Sequence, residues 1–250
     1  MSFDLLFFAL AIPAVIFAGV SKAGFGSGAA FAATPLLALV VEPGLAVGLM
    51  LPLLMLMDVT TLRPYWKKWH WPSARAMMIW AVPGVLAGAA LYKVTNPDVF
   101  RFFIGLIAVA FVAFQLARAR GLIRIEPRPV GMKAGAAAGI TAGFTSFISH
   151  AGGPPVAIYL LAQGLPKTTF QATTVIVFWA INLFKVVPYA FLGIFTKETL
   201  LANLMLAPFA VIGVWLGVKA HHMVNERLFF GLTYIFLGVT GTKLIWDALT

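Results

Sequence analysis

Lys22-Ala23-Gly24-Phe25-Gly26-Ser27-Gly28 and His150-Ala151-Gly152-Gly153-Pro154-Pro155 each interrupt a long apolar stretch, at matching places in two related halves of the chain. Breaks of this kind deep in apolar sequence, repeated with internal symmetry, mark membrane proteins in which irregular backbone lines a solute path near the bilayer midplane. Each break starts a second apolar run almost at once, so every half begins with a pair of closely joined segments.

Composition agrees. Of 250 residues, 61% are apolar and 10% charged, with a mean hydropathy of +0.96; a soluble domain carries roughly 25% charged residues. Ten apolar segments run about 3 to 21, 25 to 41, 44 to 63, 73 to 93, 99 to 117, 131 to 148, 153 to 165, 168 to 193, 199 to 219 and 227 to 248. They read as helices, because lipid demands internally satisfied backbone and the alternation of barrel strands is missing. Phe3 to Val20 is structural rather than a secretory leader: Asp4 stands where a basic n-region belongs. The absence of cysteine excludes disulfides and thiolate metal sites. No cofactor, metal or catalytic group is expected.

The predicted fold is an all-α polytopic membrane protein of two inverted-topology repeats, each with about five hydrophobic segments and with broken or re-entrant helices at the glycine motifs. Residues 1–118 form the first repeat, 119–129 a basic cytoplasmic linker and 130–250 the second. At a shift of 124 positions Ala18-Gly19 meets Ala142-Gly143, Gly28 meets Gly152, Asp58 meets Asn182, and Pro64-Tyr65 meets Pro188-Tyr189. After a small frame change Gly84 and Gly88 fall on Gly213 and Gly217, and Arg101–Leu106 falls on Arg227–Leu232. If loops 63 to 75, 118 to 133, 167 and 219 to 227 are cytoplasmic, they hold twelve of the eighteen basic residues, the bias expected of short cytoplasmic loops. The second half is then upside down relative to the first. Two geometries fit: all ten segments span, or segments one with two and six with seven form hairpins that enter from opposite faces. Trp66-Lys67-Lys68-Trp69-His70-Trp71 reads as an interfacial belt rather than a nucleic-acid patch.

Helices that start at glycine-rich tips aim unpaired N–H groups and a positive dipole end at whatever lies before them. Gly24, Gly26 and Gly28 offer this in the first half and Gly152 and Gly153 in the second, with Pro154 suited to the first turn of the following helix and the Ser27 hydroxyl a further donor beside the first break. The alternative use of such glycines is close helix packing. Lys22 and His150 sit beside the breaks, and Lys185 lies inside segment eight. Ionisable residues within a membrane are costly and mark solute pathways, and cations there complement an anion. Lys22 has the alternative of reaching a membrane surface, His150 that of a hydrogen-bonded packing residue, and Lys185 that of pairing with Asp58. Asp58 is the single carboxylate expected within a span, and it is assigned proton coupling, with a structural salt bridge as the competing role.

The chain resembles the TauE/SafE family of membrane proteins, associated with export of sulfite and organosulfonates. The resemblance rests on the early Gly24-Phe25-Gly26-Ser27-Gly28 followed by Thr34-Pro35, on the later Gly152-Gly153-Pro154, and on the duplicated architecture, and it covers nearly the whole length. It implies roles for Gly24, Gly26, Gly28, Gly152, Gly153 and Pro154. Ala29 stands where many relatives carry a further glycine. The expectation is an inner-membrane secondary transporter that exports a small sulfur oxyanion, sulfite or a sulfonate such as sulfoacetate, by alternating access. Its partners are that anion and the bilayer, with no nucleic acid, and its oligomeric state is open, a homodimer included. A passive anion channel is the alternative. An intramembrane enzyme is more distant, because the spans lack a paired acid and base or a nucleophile with its base.

Overall fold

The computed structural model describes residues 4–24, 30–126, 131–220 and 226–250, and among them all regular structure is helical. Gly26, Ser27 and Gly28 of the first break lie outside these residues, as do His221 and His222 and part of the linker. Ten α-helices are described: α1 Leu5–Gly24, α2 Ala33–Leu37, α3 Pro43–Leu62, α4 Trp71–Val94, α5 Pro97–Ala119, α6 Met132–Ser149, α7 Gly153–Ala162, α8 Lys167–Phe191, α9 Lys197–Ala220 and α10 Glu226–Leu249. Seven of them are long and apolar enough to cross a membrane: α1, α3, α4, α5, α8, α9 and α10. Twenty residues of helix reach about 30 Å, the thickness of the hydrocarbon core.

Local chemistry sets the helix ends. Asn96 caps α5, its side chain accepting from the Val99 N–H at 2.8 Å, and Pro97 occupies the first turn. Gly164 and Gly193, both with positive φ, stop α7 and α8. The lipid-facing side of α9 carries Leu200, Leu204, Val211, Trp215 and Val218, while Ala202, Leu206, Ala210 and Val214 are buried four residues apart.

The two short segments differ from their neighbours. Segment two, expected to be helical over 25 to 41, has a 3-10 turn at Ala30–Ala32 and only five α-helical residues in α2. The ten residues of α7 reach about 15 Å, half a bilayer core. Among the described residues neither α2 nor α7 is long enough to cross a bilayer core by itself. Each instead turns back along the helix before it. Thr141, Ala138 and Ala134 of α6 share a groove of about 370 Å³ with Pro155, Ile158, Tyr159 and Ala162 of α7, so the chain runs in along α6 and back along α7. In the first half Asp4, Leu6 and Phe7 share a cavity of about 250 Å³ with Val40, Val41 and Glu42. The start of α1 is level with the end of its return.

The halves interlock. The α1 helix packs on α9, α6 packs on α4, α5 packs on α10, and α3 touches both α8 and α9. Glycine makes these approaches. A Cβ added to Gly19 would come within 2.8 Å of the Gly213 carbonyl carbon, and one on Gly213 within 2.6 Å of the Ile16 carbonyl oxygen. A Cβ on Gly143 would collide with the Ala81 carbonyl, and one on Gly84 with the Ile140 carbonyl. The matched glycines therefore serve close helix contact, the role small residues commonly play in membranes.

Candidate functional site

Lys22, Asp58, His150 and Lys185, singled out from the sequence, converge with further polar residues where α1, α3, α6 and α8 meet. Lys22, Asp58, Ser146, Ser149, His150, Asn182 and Lys185 are all buried. Such groups are tolerated in an apolar core only when paired or hydrogen-bonded, and their bonding shows how each is held.

Lys22 does not reach a surface. Its ammonium lies 2.6 Å from Asp58 Oδ1 and donates to the Leu54 carbonyl at 3.4 Å, which ties α1 to α3. The Asn182 amide donates to Asp58 Oδ2 at 2.6 Å. Oδ1 thus meets the Lys22 amine and Oδ2 accepts from the Asn182 amide. Asp58 pairs with Lys22 and not with Lys185, because α1 brings Lys22 directly onto its oxygen.

Lys185 donates elsewhere. Its three N–H bonds are matched by three neutral acceptors: the Ser146 carbonyl at 3.1 Å, Ser146 Oγ at 2.9 Å and His150 Nδ1 at 2.7 Å. His150 Nε2 is 3.0 Å from the Val47 carbonyl oxygen, which can only accept, so the ring proton is assigned to Nε2 and Nδ1 receives from Lys185. His150 is a packing residue and a polar link at once.

The chain aims this imidazole through the end of α6. His150 is the left-handed cap, with φ 57°, and its N–H donates to the Ser146 carbonyl while Ala151 N–H donates to the Thr145 carbonyl. The Thr145 hydroxyl bonds the Ala151 carbonyl at 3.0 Å and closes the turn. Gly152 follows, where a Cβ would lie 2.9 Å from both the Ala142 carbonyl oxygen and the Phe178 ring. Gly153 opens α7 and Pro154 sits in its first turn. Ser149 Oγ, fully buried at this turn, has no hydrogen-bond partner among the described residues; Ser21 Oγ on α1 has none either. Gly24, at the end of α1, would place a Cβ 2.7 Å from the Gly217 carbonyl oxygen, a packing position against α9.

Two site residues were not singled out from the sequence. Asn182 was visible only as the repeat counterpart of Asp58, and the structure brings the two into contact. Tyr189 donates to the Phe147 carbonyl at 2.6 Å and sets its ring beside His150, centroids 6.4 Å apart. Its only signal was the Pro188-Tyr189 match to Pro64-Tyr65.

Among the described residues no group of three or more His, Cys, Asp or Glu side chains could hold a metal ion. The sequence model described as Sulfite exporter TauE/SafE matches residues 11–244. No curated protein and no solved structure matches the chain.

Proposed function

The chain belongs to the sulfite exporter TauE/SafE family, whose members are transporters rather than enzymes, and from that premise we propose that it exports a small sulfur oxyanion, sulfite or a sulfonate such as sulfoacetate, across the inner membrane. The observation that carries this reading is Lys185: a fully buried amine that, among the described residues, meets no carboxylate, next to a turn whose buried Ser149 hydroxyl has no hydrogen-bond partner among them either. An oxyanion takes N–H and O–H donors and a positive charge in place of its hydration shell. Lys185, Ser149 and the Gly153 N–H at the start of α7 supply them; Gly152 lets that turn approach α6 and α8, and Pro154, which has no N–H of its own, sits in the first turn of α7. His150 orients Lys185, while Lys22 is committed to Asp58. Gly24, Gly26, Ser27 and Gly28, the glycine break of the first half, are assigned to the same anion path on the strength of their sequence.

The two hairpins and their three following helices act as inverted halves in this proposal. The support is reciprocity. Exchanging each element for its counterpart turns the α1–α9 contact into α6–α4 and leaves α5–α10 unchanged, and a bond between aligned residues, Asn182 to Asp58, joins positions 124 apart. Alternating access then moves one half against the other around this cluster.

A proton-coupled cycle uses the same pair. Asp58 takes a proton only after Lys22 leaves Oδ1, so protonation and the parting of α1 from α3 are one step. Asp58→Asn then transports without the pH dependence of the wild type; an unchanged dependence removes Asp58 from coupling.

Binding tests the reading directly. Sulfite, sulfoacetate, taurine, sulfate and chloride are titrated into the purified full chain. Saturable sulfite or sulfoacetate binding that is lost in Lys185→Ala supports it, and no oxyanion binding overturns it.

A further inference from the structure

An apolar groove on the outside of the bundle carries a cation at one end. It runs between α4 and α8, holds about 690 Å³, and is walled by Trp71, Arg75, Ile79, Trp80 and Pro83 of α4 and by Phe184 of α8. Trp71, Arg75, Ile79 and Pro83 stand four residues apart in turn, so they form one stripe down α4. From Trp71 to Pro83 that stripe is about 18 Å long, against about 15 Å for one leaflet of the hydrocarbon core.

The two ends differ in chemistry. Beyond Arg75 the wall is apolar, and Ile79, Trp80 and Pro83 are exposed. At the other end Arg75 is exposed and, among the described residues, belongs to no ion pair. The loop before α4 adds Arg63 and Lys67, and α8 starts at Lys167, all exposed. The His70 N–H donates to Thr173 Oγ1 at 2.8 Å, which joins this loop to the first two turns of α8. Neither 63–75 nor 163–175 contains an acidic residue, so nothing in these segments offsets the positive charge. The grooves beside the two hairpins make the contrast. Those lined by Ala134, Thr141 and Pro155 and by Leu10, Pro13 and Phe17 have no charged side chain on their walls, and the chains of any lipid cover them equally.

We propose that the α4–α8 groove is a binding site for an anionic phospholipid, with one acyl chain along Ile79, Trp80 and Pro83 and the headgroup phosphate on Arg75. A guanidinium presents a planar set of N–H donors that pairs two phosphate oxygens at once, and basic pockets between transmembrane helices take anionic headgroups in this way. Trp71 closes the interfacial belt, at the level where indole rings meet headgroups. A zwitterionic lipid brings the same chain and phosphate together with a cation, which Arg63, Lys67 and Lys167 repel, so net negative charge decides the preference. Phe184 immediately precedes Lys185, and the seated lipid packs against the helix that carries the buried amine. The site is independent of the anion-export reading.

Bromine on a lipid chain quenches a tryptophan that it touches, which makes Trp80 the reporter. The full chain is reconstituted in phosphatidylcholine vesicles containing a small fraction of chain-brominated phosphatidylglycerol or, separately, of chain-brominated phosphatidylcholine, and indole fluorescence is compared. One basic side chain at an anionic membrane surface is worth about fivefold in occupancy, and brominated phosphatidylglycerol should quench Trp80 with about that advantage. The advantage should disappear in Trp80→Phe, which removes the reporter, and fall to within about twofold in Arg75→Gln. It should persist in Arg120→Gln, which removes a cation predicted to lie on the same side of the membrane but at the end of α5 and outside the groove wall. Equal quenching by the two lipids in the wild type would overturn the site. An advantage that survives Arg75→Gln or Trp80→Phe, or one that Arg120→Gln abolishes equally, would overturn it too.

Discussion

Replacing Lys22 by methionine strands Asp58 in the core with only the Asn182 amide against it. The carboxyl is fully buried, and its contact with the ammonium is 2.6 Å. Breaking one side of a buried ion pair costs about 3 to 5 kcal/mol, because the remaining charge has no solvent to turn to. Removing both members together is close to neutral by the same argument. Lys22→Met/Asp58→Asn leaves methionine filling the lysine's path and an amide facing the Asn182 amide, so its stability should lie within about 1 kcal/mol of the wild type. For a chain of this length, each kcal/mol moves the unfolding midpoint by about 2 to 4 °C. Lys22→Met should therefore melt about 6 to 20 °C lower, and the double variant within a few degrees of the wild type. Circular dichroism at 222 nm in mild detergent, followed through a thermal scan, reads this out. A double variant as unstable as Lys22→Met, or a single variant that melts like the wild type, would show that the pair does not bind α1 to α3 as argued.

Two further outcomes follow from other contacts. Gly143→Val places a branched side chain against the Ala81 carbonyl of α4, and overpacking of this kind costs about 1 to 3 kcal/mol or more; its melting point falls, while Gly131→Val, where a Cβ meets nothing within 4 Å, melts as the wild type does. Tyr189→Phe removes the hydroxyl bonded to the Phe147 carbonyl, leaves that buried carbonyl without this donor and lowers stability by about 1 to 3 kcal/mol, measurable in the same scan.

Much of the scaffold is legible in the sequence because lipid admits so few backbone solutions. The segment expected over 73 to 93 is Trp71–Val94, and that over 168 to 193 is Lys167–Phe191. Segment two misleads because Ala30–Ala33 and the leucines after Pro35 supply hydropathy, while among the described residues its α-helix is only Ala33–Leu37. The members of the buried polar cluster were legible as well, since Lys22, Asp58, His150 and Lys185 are the ionisable groups set deepest in apolar sequence. What the sequence cannot supply is who pairs with whom. Asp58 has two candidate lysines at distant positions, and only the packing of α1 against α3 chooses Lys22. The shift of 124 aligns Asp58 with Asn182 in sequence, yet their contact depends on how α3 packs against α8. The left-handed cap at His150 is hidden for a different reason: the Ser149-His150-Ala151 sequence carries none of the glycine or asparagine that usually announces such a turn.

The central claim is that Lys185 holds the transported anion within a moving carrier. Its most direct test is sulfite efflux from proteoliposomes containing the purified full chain, measured against internal sulfite concentration for the wild type and Lys185→Met. The account predicts a rate that saturates in the wild type and falls to the protein-free leak in Lys185→Met. A rate that rises linearly without saturation would identify a channel, and saturable efflux undiminished in Lys185→Met would contradict the assignment of the anion to this ammonium.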